Sequence, residues 1–308
     1  MASNISGTNG NYFPFVESDP NSDGKDLRAT LDKNGYLFFR ALVPVEDVLK
    51  VRRRLMELFS LAGWLDTSTD PMKGIVSSTT VSNVKGKQET SDVYRQILRL
   101  PEFNAFPSHP ALIAIAQTIL DDDVTIHPRR IARMTLPGSA KLSTPPHQDF
   151  FYVRGSVETY TCWVPLGDCP KELGSLAVWA ESHRLGFIEH NTPHPGAIGG
   201  HGVLVDESQT KWHTSDFCVG DALFFHSHTI HKALPNLTAD RIRLSTDNRY
   251  QHHKDTAYLE QQNLAKDVNL ATIISAAADD DCPVAKTLAV SGANNIAPDT
   301  ERINHDMS

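Results

Sequence analysis

Two side chains of the metal-binding kind stand two positions apart in this sequence, at His147 and Asp149. The preceding Pro145 and Pro146 favour an extended backbone, and on an extended strand residues i and i+2 point to the same face. An imidazole and a carboxylate placed in this way can take neighbouring positions on one metal ion. A chain with 14 histidines contains on the order of one His-x-Asp pair by chance, so the pair needs supporting context.

A second group of histidines follows the turn-like pair Gly220-Asp221. The apolar run after this turn predicts a buried strand that leads to His226, His228 and His231. One of the three would complete a triad of two histidines and one carboxylate. Such a triad leaves three octahedral positions of iron(II) open for a bidentate co-substrate and dioxygen. His226 and His228 also form an i, i+2 pair of their own, and the spacing alone does not choose among the three histidines.

Arg241, Arg243 and Ser245 occupy alternate positions and would share one face of a strand. A guanidinium binds a carboxylate through parallel, charge-assisted hydrogen bonds, and an arginine buried without an anion is costly. The pattern therefore fits a binding site for a dicarboxylate. An internal salt bridge to Asp240 or Asp247 explains the two arginines equally well.

The elements that must position these side chains fall into two groups. Apolar residues recur at steps of three and four from Val48 to Ala62 and again from Leu112 to Leu120, which predicts two helices. Residues 124–252 alternate short β-branched or aromatic segments with Gly, Pro and Asp turns, a pattern typical of an antiparallel sandwich or barrel. Together they predict a mainly β (α+β) fold with helices packed on one sheet.

The two ends of the chain differ in composition from its centre. The polar residues 1–25 predict a disordered segment, and residues 279–308 predict a weakly ordered tail. Residues 26–278 form one predicted domain with a β core at 124–252, and residues 255–278 predict a last helix.

Bulk composition excludes several classes of protein. The net charge of −8 argues against non-specific nucleic-acid binding, which needs a basic surface. No apolar run approaches the roughly 18 residues of a membrane span, and no targeting segment is recognisable. The four cysteines form no C-x-x-C pair. We therefore expect a soluble cytoplasmic protein with reduced cysteines, and the choice between monomer and homodimer stays open.

Several short motifs occur together in a fixed order, and the set resembles the phytanoyl-CoA dioxygenase-like family of Fe(II)/2-oxoglutarate-dependent oxygenases. The resemblance covers roughly residues 26–252 and involves residues of both the helical and the β-rich part. The motifs are His147-Gln148-Asp149, Trp163, Gly174-Ser175-Leu176, Ser182-His183, Gly220-Asp221, His231, Asn236 and Arg243-Leu244-Ser245.

The resemblance implies a double-stranded β-helix, also called a jelly roll or cupin-like fold, with helices packed on its outer sheet. It implies that His147, Asp149 and His231 are the iron ligands. In this family the Gly-Asp strand precedes the distal histidine, which favours His231 over His226 and His228.

The resemblance also implies a co-substrate site for 2-oxoglutarate. The family's arginine corresponds to Arg243 or Arg241, and the Arg-x-Ser pairing favours Arg243. Trp163 matches a family position near the co-substrate. Ala233 stands where the family often has a hydroxyl residue, so Ser245 is expected to supply that polar contact.

The function implied is oxidation of a C–H bond in a small organic molecule, using Fe(II), 2-oxoglutarate and O2. Halogenases of the family lack the ligand carboxylate, whereas Asp149 is present, so we expect oxygenation. A secondary-metabolite substrate is favoured over a fatty acyl-CoA, because the chain shows neither a basic patch nor a peroxisomal signal. A non-catalytic jelly-roll binding protein and a zinc hydrolase are the alternatives.

Substrate choice is expected to lie in three segments near the proposed iron. Residues 66–92 lack periodicity and predict a long loop, and residues 184–215 predict an insertion. The third segment, residues 150–156, begins with Phe150, Phe151 and Tyr152, which are candidate walls of a substrate pocket, with core packing as the alternative for one of them.

Overall fold

The computed structural model describes residues 11–83, 91–138, 143–193 and 201–255. The α-helices are α1 (Gly24–Asn34), α2 (Val45–Leu61), α3 (Ser78–Asn83), α4 (Asp92–Ile97), α5 (Pro101–Ala105), α6 (Pro110–Leu120) and α7 (Asp149–Val153). The strands are β1 (Asn11–Phe13), β2 (Tyr36–Phe39), β3 (Val124–Ile126), β4 (Ile131–Thr135), β5 (Thr159–Pro165), β6 (Leu176–Trp179), β7 (Thr192–Pro193), β8 (His201–Gly202), β9 (Lys211–His213), β10 (Ala222–His226), β11 (His231–Ala233) and β12 (Arg243–His252).

Two sheets form the centre of the fold. The larger sheet has the order β2-β10-β5-β12-β3, and β4 pairs with β12 beside β3. The smaller sheet has the order β1-β9-β6-β11, in which β1 and β9 are parallel. This is the expected jelly roll, with helices packed against it.

Side-chain alternation along the strands divides the core into two layers. On β10, Phe224 packs towards the helices, whereas Leu223 and Phe225 pack between the sheets with Trp163. The helical layer is built by the apolar faces of α2 and α6, so the prediction that helices pack on one sheet is confirmed. The buried residues of these two helices are Val48, Val51, Leu55, Met56, Phe59, Leu112, Ile115, Ala116 and Ile119.

The N-terminal segment differs from the sequence expectation. Residues 11–25 were expected to belong to a disordered segment, yet β1 pairs with β9 and α1 begins at Gly24. Tyr12 and Phe15 are buried, and the ring of Phe15 lies 5.1 Å from that of Phe38. A few aromatic side chains therefore anchor a segment whose average composition is polar, because each buries a large apolar surface.

Residues 66–92, expected to form a long loop, contain a short 3-10 helix at Pro71–Lys73 and α3. Cys162 and Cys169 are buried thiols and Cys218 is an exposed one. The helix predicted over 255–278 and the tail over 279–308 lie outside the described residues. In the described part of the chain, no helix combines the length and apolar character needed to cross a bilayer.

Candidate metal centre

The backbones of His147 and His231 are paired directly across the entrance to β11. Each residue donates its N–H to the carbonyl of the other at 3.0 Å, which forms an isolated antiparallel bridge. Their imidazole rings lie 4.1 Å apart, centre to centre. The two histidines are far apart in sequence and are brought together by main-chain hydrogen bonds, so their relative position does not depend on side-chain packing alone.

Asp149 lies close to both histidines, but its backbone conformation differs from the expected one. The expected strand through all three residues is wrong, because Gln148 is extended and Asp149 begins the short helix α7. The buried amide of Gln148 donates to the carbonyls of Gly186 and His228, each at 2.7 Å, and accepts from Ile188 N–H at 2.8 Å. Gln148 therefore ties the turn between the two ligand candidates to two neighbouring segments.

The three side chains bring one ligand atom each to a common point. Asp149 Oδ1 lies 3.7 Å from Nε2 of His147 and 3.7 Å from Nε2 of His231. All three ligand atoms lie within 4.8 Å of one another, and all three residues are buried. Two atoms bound to one ion at about 2.0–2.2 Å can be no more than roughly 4.4 Å apart, so the two measured distances fit a shared ion.

Both imidazoles are held in the tautomer that a metal needs. His147 Nδ1 is 2.8 Å from the carbonyl of Pro145, and His231 Nδ1 is 3.0 Å from the carbonyl of Thr229. A carbonyl accepts a hydrogen bond, so each Nδ1 carries the proton and each Nε2 presents a lone pair to Asp149. Burial lowers the pKa of both histidines, which keeps the rings neutral.

The carboxylate of Asp149 is oriented by partners on its other oxygen. Oδ2 accepts hydrogen bonds from Arg249 Nη2 at 2.9 Å, from Arg249 Nε at 3.1 Å and from Thr161 Oγ1 at 2.5 Å. Burial raises the pKa of Asp149, but the charge of Arg249 and the two imidazoles lower it well below its usual value. The group is therefore an ionised carboxylate with Oδ1 left for an ion.

This donor set fits iron(II). Two neutral imidazole nitrogens and one carboxylate oxygen on one side of a buried point form a facial triad, and this arrangement leaves positions for further ligands. The buried hydrogen bonds behind each donor fix its direction before an ion binds.

The other two histidines considered from the sequence lie elsewhere. His226 Nε2 is 3.8 Å from Glu158 Oε1. The ring of His228 packs edge-on against Phe150 at 4.8 Å. Neither belongs to the group of converging ligand atoms among the described residues.

Two cavities lie beside the ligand atoms and share Arg133, Thr144 and His147 in their walls. The first, called here the Arg243 cavity, is also lined by Trp163, His231, Ala233, Arg243 and Asp247. The second, called the Arg129 cavity, is also lined by Arg129, Asp149, Tyr152 and Arg249.

The two candidate arginines occupy different environments. Arg243 is buried, donates to the carbonyl of Gly174 at 3.1 Å and to Ser245 Oγ at 2.8 Å, and faces the Arg243 cavity. The side chain of Arg241 is 39% exposed and lies 3.2 Å from Glu172 Oε1. The salt-bridge alternative thus applies to Arg241, although with Glu172 as partner and not Asp240 or Asp247.

Of the three aromatic residues after Asp149, two pack against other rings and one lines a cavity. Phe151 stacks on His190 with ring centres 4.3 Å apart, and Phe150 packs on His228. Tyr152 lines the Arg129 cavity, and its ring lies 5.6 Å from that of His147. Of the three candidate substrate contacts, Tyr152 is the one that lines a cavity beside the iron ligands.

Sequence reasoning missed Arg249, Thr161 and Arg129 in this region. Arg249 lies six positions after Arg243 and on the same face of β12, so the alternation that singled out Arg243 and Ser245 could have been extended to it. No signal in the sequence indicated that Thr161 contacts Asp149.

The model of the phytanoyl-CoA dioxygenase family (PhyH) matches residues 31–245 of the chain. The chain belongs to this family. It is therefore a non-heme iron enzyme that depends on 2-oxoglutarate, and the ligand triad and the fold described above agree with that assignment.

The proteins similar to this chain include a bacterial hydroxylase and solved structures of two enzymes. A 1-deoxypentalenic acid 11-beta-hydroxylase of Streptomyces exfoliatus is 26% identical, over 77% of this chain and 84% of that protein. The crystal structure of the epimerase SnoN with Fe3+, alpha-ketoglutarate and nogalamycin RO has 23% identity and a TM-score of 0.51, and covers 76% of this chain and 84% of its own. The carbocyclase SnoK has 18% identity and a TM-score of 0.52, with 77% and 87% covered.

Proposed function

We propose that this enzyme oxidises a C–H bond of a small secondary-metabolite intermediate, with its iron held by His147, Asp149 and His231. The observation that carries the proposal is the convergence of three buried ligand atoms whose other polar atoms are all hydrogen-bonded. When bound, iron(II) and 2-oxoglutarate supply the activation of dioxygen and the oxidising equivalent. Curated relatives named as hydroxylases of 1-deoxypentalenic acid support a small, compact substrate.

The residues of the Arg243 cavity are proposed to bind 2-oxoglutarate. The Arg243 guanidinium faces a cavity that also contains His147 and His231, and so can pair with the far carboxylate of a co-substrate at the iron. Ser245 and Gly174 hold the guanidinium in place, and Trp163 forms a wall. Arg243 is buried, and the exclusion of water strengthens the ion pair.

The Arg129 cavity is proposed to bind the substrate, with Tyr152 in its wall beside His147. Its role is to hold one C–H bond next to the iron and to keep bulk water away from the reacting carbon. Hydroxylation is the default outcome, and desaturation or rearrangement requires a different fate of the substrate radical.

The cytoplasmic location stays a prediction from the sequence, and the choice between monomer and homodimer stays open.

Titration of the protein with iron(II) and 2-oxoglutarate without oxygen tests the proposal. We expect a weak visible charge-transfer band that needs both components and saturates at one iron per chain. Zinc(II) in place of iron gives no band. A zinc hydrolase or a non-catalytic jelly-roll protein would produce no band with iron and 2-oxoglutarate, and that result would contradict the proposed function.

Arg243 and Arg241 offer a matched pair for the co-substrate site. We expect Arg243→Ala to raise the KM for 2-oxoglutarate about 100-fold or more, since a buried, charge-assisted ion pair is worth roughly 3 kcal/mol. Arg241→Ala should change it less than about threefold, because Arg241 lies on the surface beside Glu172. Steady-state kinetics with succinate detection measures both, and the reverse order would reassign the site to Arg241.

A further inference from the structure

Three arginines line the Arg129 cavity beside the iron ligands, which is more than the single carboxylate of the ligand set requires. They are Arg129, Arg133 and Arg249, and the cavity also contains His147 and Asp149. The walls of this cavity carry three guanidiniums and one carboxylate, so positive charge is in excess there.

The partners of the three arginines are unequal. Arg249 is bonded to Asp149 as described above, and Arg133 Nε lies 2.9 Å from Asp247 Oδ2. Arg129 has a single contact of 3.4 Å, from Nη1 to the carbonyl of Tyr152, and no carboxylate partner among the described residues. Burial, together with repulsion by Arg249 and Arg133, lowers the pKa of Arg129. This guanidinium is therefore partly removed from water, and among the described residues no carboxylate contacts it, although the charge of Asp149 acts on it from a greater distance.

The charges of the loaded centre leave a positive excess at the same place. The positive charges of iron(II) and Arg243 balance the negative charges of Asp149 and doubly ionised 2-oxoglutarate. The charge of Arg133 is balanced by that of Asp247. The positive charges of Arg129 and Arg249 then remain unbalanced. Arg249 holds Asp149 through Nε and Nη2, and its remaining Nη1 has no partner among the described residues. Of the three arginines, Arg129 is the one without a carboxylate partner among the described residues, which leaves its guanidinium for an anionic ligand.

We propose that the substrate carries a carboxylate and that Arg129 binds it. This inference rests on the proposed function, because it concerns the substrate of the same iron centre. The carboxylate accepts hydrogen bonds from the guanidinium, and the remaining part of the substrate extends along Tyr152 towards His147 and Asp149. The ion pair fixes which C–H bond of the substrate faces the iron.

The position of Arg129 favours a carboxylate over the phosphates of an acyl-CoA. Arg129 and the iron ligands His147 and Asp149 line one cavity, so an anion bound at Arg129 lies in the same cavity as these ligands. In an acyl-CoA the phosphates are separated from the acyl carbons by the whole pantetheine arm, so an anion bound at Arg129 would place the wrong part of that molecule at the iron. A compact organic acid can place its carboxylate at Arg129 and its C–H bonds beside His147 and Asp149 in the same cavity.

The test compares acids with their uncharged amides on the oxygen-free iron(II)–2-oxoglutarate holoenzyme. The probes are adamantane-1-carboxylate, cyclohexanecarboxylate and decanoate, each with its carboxamide, and calorimetry gives the dissociation constants. We expect at least one pair in which the acid binds about tenfold more tightly, as a charge-assisted bond of roughly 1.5 kcal/mol predicts. Arg129→Gln should reduce that preference to less than about threefold, and Arg129→Lys should keep part of it.

Arg130 provides the matched control. It is the next residue, carries the same charge and donates from Nη1 to Asn104 Oδ1 at 3.2 Å, and it does not line the Arg129 cavity. Arg130→Gln should therefore keep the preference for the acid. Formation of the charge-transfer band with 2-oxoglutarate should be unchanged in both glutamine variants.

The outcomes separate this inference from the proposed function. If the band forms but no acid is preferred over its amide, or if the preference survives Arg129→Gln, the substrate carboxylate site is refuted while the enzyme class stands. If the band itself does not form, the proposed function fails first. Tighter binding of coenzyme A than of every acid, lost in Arg129→Gln, would also overturn the assignment and identify Arg129 as a phosphate contact.

Discussion

Replacing Asp149 or His147 with alanine will abolish the formation of succinate. Each variant leaves two protein ligands, and a metal centre with an imidazole or the carboxylate missing binds iron(II) far more weakly. Loss of a partner that only supports a ligand costs about 10–100-fold in metal affinity, so loss of a ligand itself should cost on the order of a thousandfold or more. Iron content after anaerobic loading and succinate release under air measure the effect.

The two variants differ in what they do to the iron-free protein. His147→Ala removes a neutral ring and leaves Asp149 paired with Arg249. Asp149→Ala leaves the Arg249 guanidinium buried without its anion, so it should also lower the free energy of unfolding. Loss of activity together with a nearly unchanged unfolding transition in His147→Ala assigns the loss to the metal.

His228→Ala provides the control for general damage near the site. His228 is a buried histidine of the same segment as His231, but its ring packs on Phe150 and not on the ligand atoms. This variant should keep its iron. Near wild-type succinate formation in His147→Ala, or loss of iron in His228→Ala, would show that the ligands have been assigned wrongly.

The ligand spacing was informative although the expected local structure was wrong. The sequence rule places i and i+2 on one face of a strand, whereas the chain leaves extended geometry at Gln148 and enters α7 at Asp149. The two side chains still converge because Gln148 fixes the turn through contacts with Gly186, Ile188 and His228. Such long-range hydrogen bonds of a single buried amide are not visible in a sequence pattern.

The two-residue period of a strand predicts the position of Arg243 but not that of Arg241. Arg243 and Ser245 lie on β12 and interact as the two-residue period predicts. Arg241 has the same parity but precedes the strand, and its backbone bridges Ile75. Periodicity predicts which residues share a face only within a strand, and the sequence does not reveal where β12 begins.

The same strand contains the main residue that the sequence did not predict. Arg249 continues the alternation from Arg243, but its partner Asp149 lies in a different segment. Pairing between residues so distant in sequence depends on the register of β12 against β5, where Arg249 lies opposite Thr161. Thr161 bonds to the same oxygen of Asp149, so one strand register supplies both partners of the carboxylate.

This arrangement predicts a double effect of changing Arg249. Arg249→Met should lower the free energy of unfolding of the iron-free protein by about 3–5 kcal/mol, the usual cost of leaving one member of a buried ion pair without its partner. It should also weaken iron(II) binding about 10–100-fold, because Asp149 loses the two hydrogen bonds that direct Oδ1 to the ion. Denaturant unfolding and anaerobic iron titration measure the two effects.

The pH dependence of iron binding shows whether charge is the cause. Burial raises the pKa of Asp149 and Arg249 is the first of the groups that lower it, so without Arg249 the carboxyl takes up a proton at a higher pH than in the wild type. Because a protonated carboxyl is a poor ligand, the iron affinity of Arg249→Met should fall as the pH is lowered through a range in which the wild type is unaffected.

Arg249→Lys is the control that retains the charge, so it should restore most of this pH tolerance. It should recover only part of the stability, because an ammonium cannot reproduce the paired guanidinium contacts. Equal pH profiles for the methionine variant and the wild type would mean that Arg249 acts on Asp149 through packing alone.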